Sequence, residues 1–221
     1  MQLTCQTDKY AVIDDLLPPE QFANVWKVLP HDGFSAEGAL KWLSSSWGFD
    51  GGVMWATPAR KFNDIKDGPL YYTAALGLRF QELAKLVGNL VTPGWDDISI
   101  HAQVFGRGTK LHWHADTHSL GSFTWYAHPE WKPHWGGEML IAEGVPLWAQ
   151  TEPKPPSEYF DRSWEEKVFA VGMNTCIAPK PNRCVLVAPG VWHSVNRVDP
   201  DAGDALRVSV VGFLVKNKKE N

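Results

Sequence analysis

The sequence predicts an α+β chain that is mainly β, with helices placed first and the strands closing into a sandwich or jelly-roll barrel. Three observations carry that expectation. Helical periodicity is confined to the N-terminal part, where Tyr72, Leu76, Phe80, Leu83 and Val87 recur at helical spacing within 69–90. From Asp96 onward the pattern changes to period-2 alternation in many short segments. Turn signals separate those segments: GRG at 106–108, Trp-Gly-Gly at 135–137, Ala-Pro-Gly at 188–190 and DPDAGD at 199–204.

In chain order, a short apolar strand is expected over Tyr10 to Ile13, and Leu17-Pro18-Pro19-Glu20 opens a helix with proline early and an acid in its first turn. Strands are expected at Ser99–Phe105, Thr109–His114, Ser122–His128, Glu138–Ala142, Arg183–Val187, Trp192–Val198 and Ala205–Val215. The proline-rich piece 145–165 reads as a long surface excursion of the kind that often serves as a functional lid. The 221 residues suit one domain, with 1–96 as a mainly helical support and 97–215 as the β core.

Composition narrows the function classes. Twelve tryptophans and 44% hydrophobic residues exclude a disordered chain. A net charge of −4 without a basic run gives no footprint for nucleic acid. Cys5, Cys176 and Cys184 form no CxxC pair, so they read as incidental thiols in a reducing setting. The start lacks a signal-peptide pattern and no apolar run reaches membrane-spanning length, which sets the expectation of a soluble, cytoplasmic protein away from membranes.

The strand alternation then sorts side chains by face, because residues i and i+2 of a strand point the same way. Ile100, Ala102 and Val104 oppose His101, Gln103 and Phe105; Phe123 and Trp125 oppose Thr124, Tyr126 and His128; Val208, Val210 and Leu214 oppose Arg207, Ser209, Val211 and Phe213. Strict alternation also puts His112 on the face of His114, against Leu111 and Trp113. A solvated face would carry Lys, Glu and Asp. These second faces carry His, Gln, Thr, Tyr, Arg and Ser instead, which points to a polar cavity.

KLHWHADTH at 110–118 concentrates potential metal ligands. His114-Ala-Asp116 with the distant His193 of APGVWHSVNRV has the form of a two-histidine, one-carboxylate triad, which suits non-haem Fe(II) and leaves coordination positions open. Downstream, Arg207-Val-Ser209 offers a guanidinium and a hydroxyl on one face, a carboxylate clamp. Its strand is expected to pair with that of His193.

HAD…H…RxS, with TWYAHPEWKPHWGGEML at 124–140 and PKPNRCVLVAPGVWHSV at 179–195, resembles the Fe(II)/2-oxoglutarate-dependent oxygenases, in their prolyl-4-hydroxylase-like branch. The match is firm over 97–215 and looser at YAVIDDLLPPEQF near the start. It implies a distorted double-stranded β-helix, cupin-like in its jelly-roll form, with N-terminal helices on one face. Fe(II) would sit on His114, Asp116 and His193, binding the 2-oxo acid end of 2-oxoglutarate, whose far carboxylate would reach Arg207, Tyr126 and Ser209. Gln103, Phe105, His112, Thr124, Val195 and Phe213 become candidates for contacting substrate or supporting the site. The implied reaction consumes O2, releases succinate and CO2 and hydroxylates an unactivated C–H, with ascorbate as a possible stimulant. Retention of Asp116 favours hydroxylation over halogenation, for which relatives replace that carboxylate.

Three departures from the family pattern stand out. Phe105 occupies a position where the family often has Tyr, VDPDAGDA lengthens the hairpin between His193 and Arg207 as a loop insertion, and Asn182 stands in place of a turn glycine. The substrate is expected to be a small molecule or an amino-acid-type compound, with a peptidyl residue allowed by the resemblance, met by the 145–165 excursion and the loop at 117–121. Two other readings remain open at this point. Gly106-x5-His112-x-His114 with Pro189-Gly190…His193 fits a cupin that ligates through His112, His114 and His193, but the expected later acid is absent. A jelly roll that binds a ligand without catalysis is the other.

Overall fold

The computed structural model describes residues 1–35, 54–65, 71–116, 118–147 and 163–217. Among the described residues, twelve strands form two antiparallel sheets. In chain order they are β1 (Gln2–Gln6), β2 (Tyr10–Asp14), β3 (Met54–Ala56), β4 (Arg60–Lys61), β5 (Asp97–Phe105), β6 (Leu111–Ala115), β7 (Ser122–Tyr126), β8 (Met139–Ala142), β9 (Asn174–Ile177), β10 (Cys184–Val187), β11 (Trp192–Val195) and β12 (Arg207–Val215). The helices are α1 (Pro19–Val28), α2 (Phe62–Ile65), α3 (Tyr71–Leu86) and α4 (Ser163–Val171).

The larger sheet runs β1-β2-β10-β7-β12-β5-β3, with β4 also on β5, and the smaller runs β6-β11-β8-β9. The two sheets make the double-stranded β-helix expected of the sequence. α1, α2 and α3 cover the outer face of the larger sheet, and α4 packs on the smaller one. Leu76, Phe80, Leu83 and Val87 of α3 and its end are fully buried, and the Phe80 ring stacks on Phe123 of β7 at 4.5 Å. α1 brings Phe22 edge-on to Trp125 at 5.8 Å. Ile100, Ala102, Val104, Phe123, Trp125, Val208, Val210 and Leu214 all join this core, so the apolar faces assigned from alternation are the helix-facing ones. The opposite faces of β5, β7 and β12 line the interior. There, register places Gln103 opposite Ser209, Ser209 opposite Tyr126, and Arg207 opposite Phe105.

Each strand expected from alternation is present, with ends shifted by a few residues. β1, β3, β4 and β9 lack a sequence signal: β3 and β4 are only three and two residues long, while β1 is exposed along its whole length and β9 along half of it, so neither has an apolar face. The N-terminal part therefore contributes edge strands as well as helices. One pairing differs from expectation: β12 does not pair with β11 but lies between β7 and β5, in the opposite sheet from His193. The intervening segment crosses between the sheets, anchored by a short turn of helix at Pro200–Ala202 that Asp199 caps through the backbone of Asp201. Most of the excursion, 148–162, lies outside the described residues; its last part opens α4.

Candidate metal centre

His193 on β11 and His114 on β6 are direct cross-strand partners, so both rings leave the smaller sheet on one side. Their centroids are 4.2 Å apart. Asp116 follows at the end of β6. One ligand atom from each of His114, Asp116 and His193 lies within 4.8 Å of the others, and all three residues are buried. Among the described residues this is the one such cluster of His, Cys, Asp and Glu.

The hydrogen bonds set the imidazole tautomers. His114 Nδ1 lies 2.8 Å from the carbonyl of His112, and His193 Nδ1 lies 2.9 Å from the carbonyl of Val191. A carbonyl only accepts, so each Nδ1 carries the proton and donates it, leaving Nε2 with a lone pair directed inward. Those Nε2 atoms stand 4.0 and 3.5 Å from Asp116 Oδ1 and Oδ2. Asp116 Oδ1 is buried and has no hydrogen-bond partner. Two lone pairs and a carboxylate facing one buried space need a cation between them, and an N,N,O donor set fits Fe(II).

The second half of the site is an unfinished cation. Arg207 is 1% exposed. Its Nε donates to the Gly137 carbonyl at 2.7 Å, Nη1 reaches Ser209 Oγ at 3.4 Å, and Nη2 has no partner. The Tyr126 hydroxyl is likewise buried without a hydrogen bond. The guanidinium lies over the rings of Tyr126 at 5.0 Å and Phe105 at 5.4 Å. Burial lowers the Arg207 pKa, with Tyr126 opposing the shift, and burial raises that of Tyr126, which keeps the phenol protonated and able to donate. No carboxylate pairs with Arg207 among the described residues. A buried charge in that condition is costly, and a carboxylate-bearing ligand would complete it.

Gly137 is required for this arrangement. Its φ is +74°, and a Cβ there would come 2.7 Å from Arg207 Cδ. The turn holding it is braced by Trp131, whose Nε1 donates to the Gly136 carbonyl at 2.9 Å while its ring meets Trp135 edge-on.

The remaining candidates divide. Gln103 is buried, and its amide Nε2 lies 2.8 Å from His101 Nε2, whose ring stacks on Phe213 at 5.8 Å. Alternation places His101 on this interior face. Burial lowers its pKa to about 3, with the Asp116 charge opposing. Thr124 is half-buried on the interior register opposite Val211. Phe105 and Val195 belong to a small apolar cluster with Met54, Leu111, Val198 and Ala202. Phe105 places a ring face, not a hydroxyl, beneath the guanidinium.

His112 departs from the alternation. The register moves from His193↔His114 to Val195↔Leu111, so β6 carries one extra residue, a β-bulge. Leu111, not His112, shares the face of His114. The His112 ring turns instead to Glu165 of α4, at 2.7 Å. The ligand set of a cupin therefore does not assemble. His118 and His134 are exposed, whereas His128, just past the end of β7, is buried between the carbonyl of Pro179 and the backbone of Val208.

The family model of the 2OG-Fe(II) oxygenase superfamily matches residues 100–215, more than half of the chain. No curated protein matches the chain in sequence. Among solved structures, a Pseudomonas putida prolyl-4-hydroxylase superposes with a TM-score of 0.58 at 15% identity, covering 95% of this chain and 94% of its own. A Trichoplax adhaerens prolyl hydroxylase, in complex with a hypoxia inducible factor oxygen degradation domain peptide fragment, gives 0.55 at 12%, covering 95% and 84%. HygX from Streptomyces hygroscopicus, with nickel, 2-oxoglutarate and hygromycin B bound, gives 0.56 at 11%, covering 94% and 83%.

Proposed function

This chain belongs to the 2OG-Fe(II) oxygenase superfamily, and from that membership we infer that it hydroxylates an unactivated C–H of a small molecule or amino-acid-type substrate, a peptidyl residue included. It is an enzyme that uses Fe(II) and takes 2-oxoglutarate as cosubstrate. When bound, the iron supplies the oxidising chemistry that turns 2-oxoglutarate and O2 into succinate and CO2 while oxygen is placed on the substrate.

The protein's part follows from its own residues. His114, Asp116 and His193 hold the metal through two neutral imidazoles and one carboxylate. Arg207 and Tyr126 take the far carboxylate of 2-oxoglutarate, and Ser209 helps to orient the guanidinium. The single observation that carries the reading is the pairing of unsatisfied atoms of opposite character. Asp116 Oδ1 is an acceptor that needs a cation, while Arg207 Nη2 and the Tyr126 hydroxyl are donors that need an anion. Phe105, Leu111 and Val195 keep water from the interior. The 145–165 excursion and the loop at 117–121 are our candidates for substrate contact. Solved structures of similar fold hold molecules of both kinds: one is in complex with a peptide fragment and another has hygromycin B bound.

The test is anaerobic addition of Fe(II) and 2-oxoglutarate to the apoprotein, following the weak visible charge-transfer band of the complex. Wild type develops the band, and Arg207→Ala requires at least about tenfold more 2-oxoglutarate, the equivalent of ~1.4 kcal/mol. Iron binding with no band at any 2-oxoglutarate concentration would overturn the assignment of the clamp and with it the function.

A further inference from the structure

The interaction between His112 and Glu165 has a use that its distance from the cavity interior conceals. His112 sits in the β6 bulge, and its two ends do different work. Its carbonyl accepts the Nδ1 proton of His114 at 2.8 Å, while its side chain donates to Glu165 Oε1 at 2.7 Å. A carboxylate can only accept, so His112 Nδ1 carries the proton of that bond. The His112 side chain is 9% exposed and that of Glu165 31%, so the pair is partly shielded from water.

α4 covers the outer side of the same strands. Val168 joins Ala115, Ala142, Val145 and Trp192 in a separate apolar cluster. Ala115 lies between two of the metal-site residues, and Trp192 immediately precedes the third. A groove of about 590 Å³ runs between α4 and the strands, bordered by His112, Glu165, Leu140 and Ser194. The groove opens beside His112, where the hydrogen bond to Glu165 tethers the bulge, while the neighbouring Trp113 packs against the Val168 cluster. An extra residue in a strand is free to swing its carbonyl unless something fixes the local backbone.

We propose that Glu165 is a positioning residue for the metal centre: through His112 it fixes the β6 bulge, so that the His112 carbonyl holds His114 in the tautomer that presents Nε2 to the metal. This rests on the reading of His114, Asp116 and His193 as the ligands. Partners that orient a ligand imidazole tune metal affinity by about 10- to 100-fold.

The experiment is Co(II) titration of the metal-free protein without 2-oxoglutarate, read by the cobalt absorption bands, with thermal melting of each apoprotein in parallel. Glu165→Ala and His112→Ala should each weaken Co(II) binding by about tenfold or more, and the double variant by no more than either single change, because both cut one tether. Glu165→Gln, whose amide oxygen still accepts from His112, should restore affinity to near that of wild type. The apoproteins should melt together, since a merely structural role would lower melting without changing affinity. If Glu165→Ala does not fold, His112→Ala compared with Glu165→Gln decides the question. Unchanged Co(II) affinity in both alanine variants overturns the proposal and leaves the ligand assignment standing. Loss of binding in His112→Ala alone makes His112 a ligand and overturns both. Retention of full affinity in His114→Ala would sink the ligand assignment itself.

Discussion

Asn182 illustrates how one residue can carry more than its backbone conformation suggests. It stands at φ +62°, where the related turn pattern has glycine, and asparagine tolerates that region. Its side chain is also a junction. Oδ1 accepts from the backbone of Leu17 at 3.0 Å and from Trp125 Nε1 at 3.1 Å, and Nδ2 donates to the Leu17 carbonyl at 2.8 Å. These bonds tie the segment before α1 to the centre of the core. Replacing Asn182 by glycine keeps the backbone relaxed and removes only the side chain, stranding three buried polar groups. Urea unfolding should show a loss of at least about 2 kcal/mol; a loss under about 0.5 kcal/mol would mean that water replaces the amide without penalty. The position was legible as a turn, but the bonds were not, because their partners lie far away in sequence.

At the scale of elements, α3 against the larger sheet is the contact that sequence periodicity foretold best, and its fit depends on a residue that periodicity ignores. Phe80 stacks on Phe123 and also fills the space above Gly212 of β12, where a Cβ would come 2.9 Å from the Phe80 ring. Phe80→Ala should destabilise by about 3–5 kcal/mol by leaving a cavity, and Gly212→Ala by about 1–3 kcal/mol by overpacking. The two should not add. In the double variant the new methyl enters the space that the ring vacated, so the loss should be smaller than the sum, and denaturant melts of all four proteins would measure the coupling. Strict addition would mean that Gly212 is constrained by something other than Phe80. The β6 bulge shows the opposite case. Alternation holds along β5, β7 and β12, but one inserted residue in β6 exchanged Leu111 for His112 on the interior face. Period-2 reasoning has no means of seeing an insertion that only the register of the partner strand reveals.

For the whole molecule, pH is the variable that buried histidine controls. His128 is 1% exposed, with Nε2 donating to the Pro179 carbonyl at 2.7 Å and Nδ1 between the Val208 carbonyl at 3.1 Å and the Val208 N–H at 3.2 Å. Burial first, and the Arg207 charge as well, lower its pKa to about 4. The unfolded chain takes up a proton near the ordinary value of about 6.5, while the folded chain does not. Stability is therefore fully present above that pH and falls as the pH drops towards 4. From pH 7 to pH 5 the loss from this group is on the order of 2 kcal/mol. The gap between the two pH values in urea unfolding should shrink in His128→Gln; an undiminished gap would place the sensitivity elsewhere. By itself, the sequence determined the fold class, most of the strands and the apolar faces, and it singled out His114, Asp116 and His193, which the fold brings together. Those are properties of local spacing, and a strand's two faces follow from its own residues. The tertiary structure alone decided that β12 lies opposite β11, that His112 turns out to Glu165, that Gly137 lies against the Arg207 side chain, and that the donors of Arg207 and Tyr126 are left unpaired. Each of these depends on which distant backbone comes alongside, and burial and hydrogen-bond satisfaction are set by that meeting, not by the order of residues along the chain.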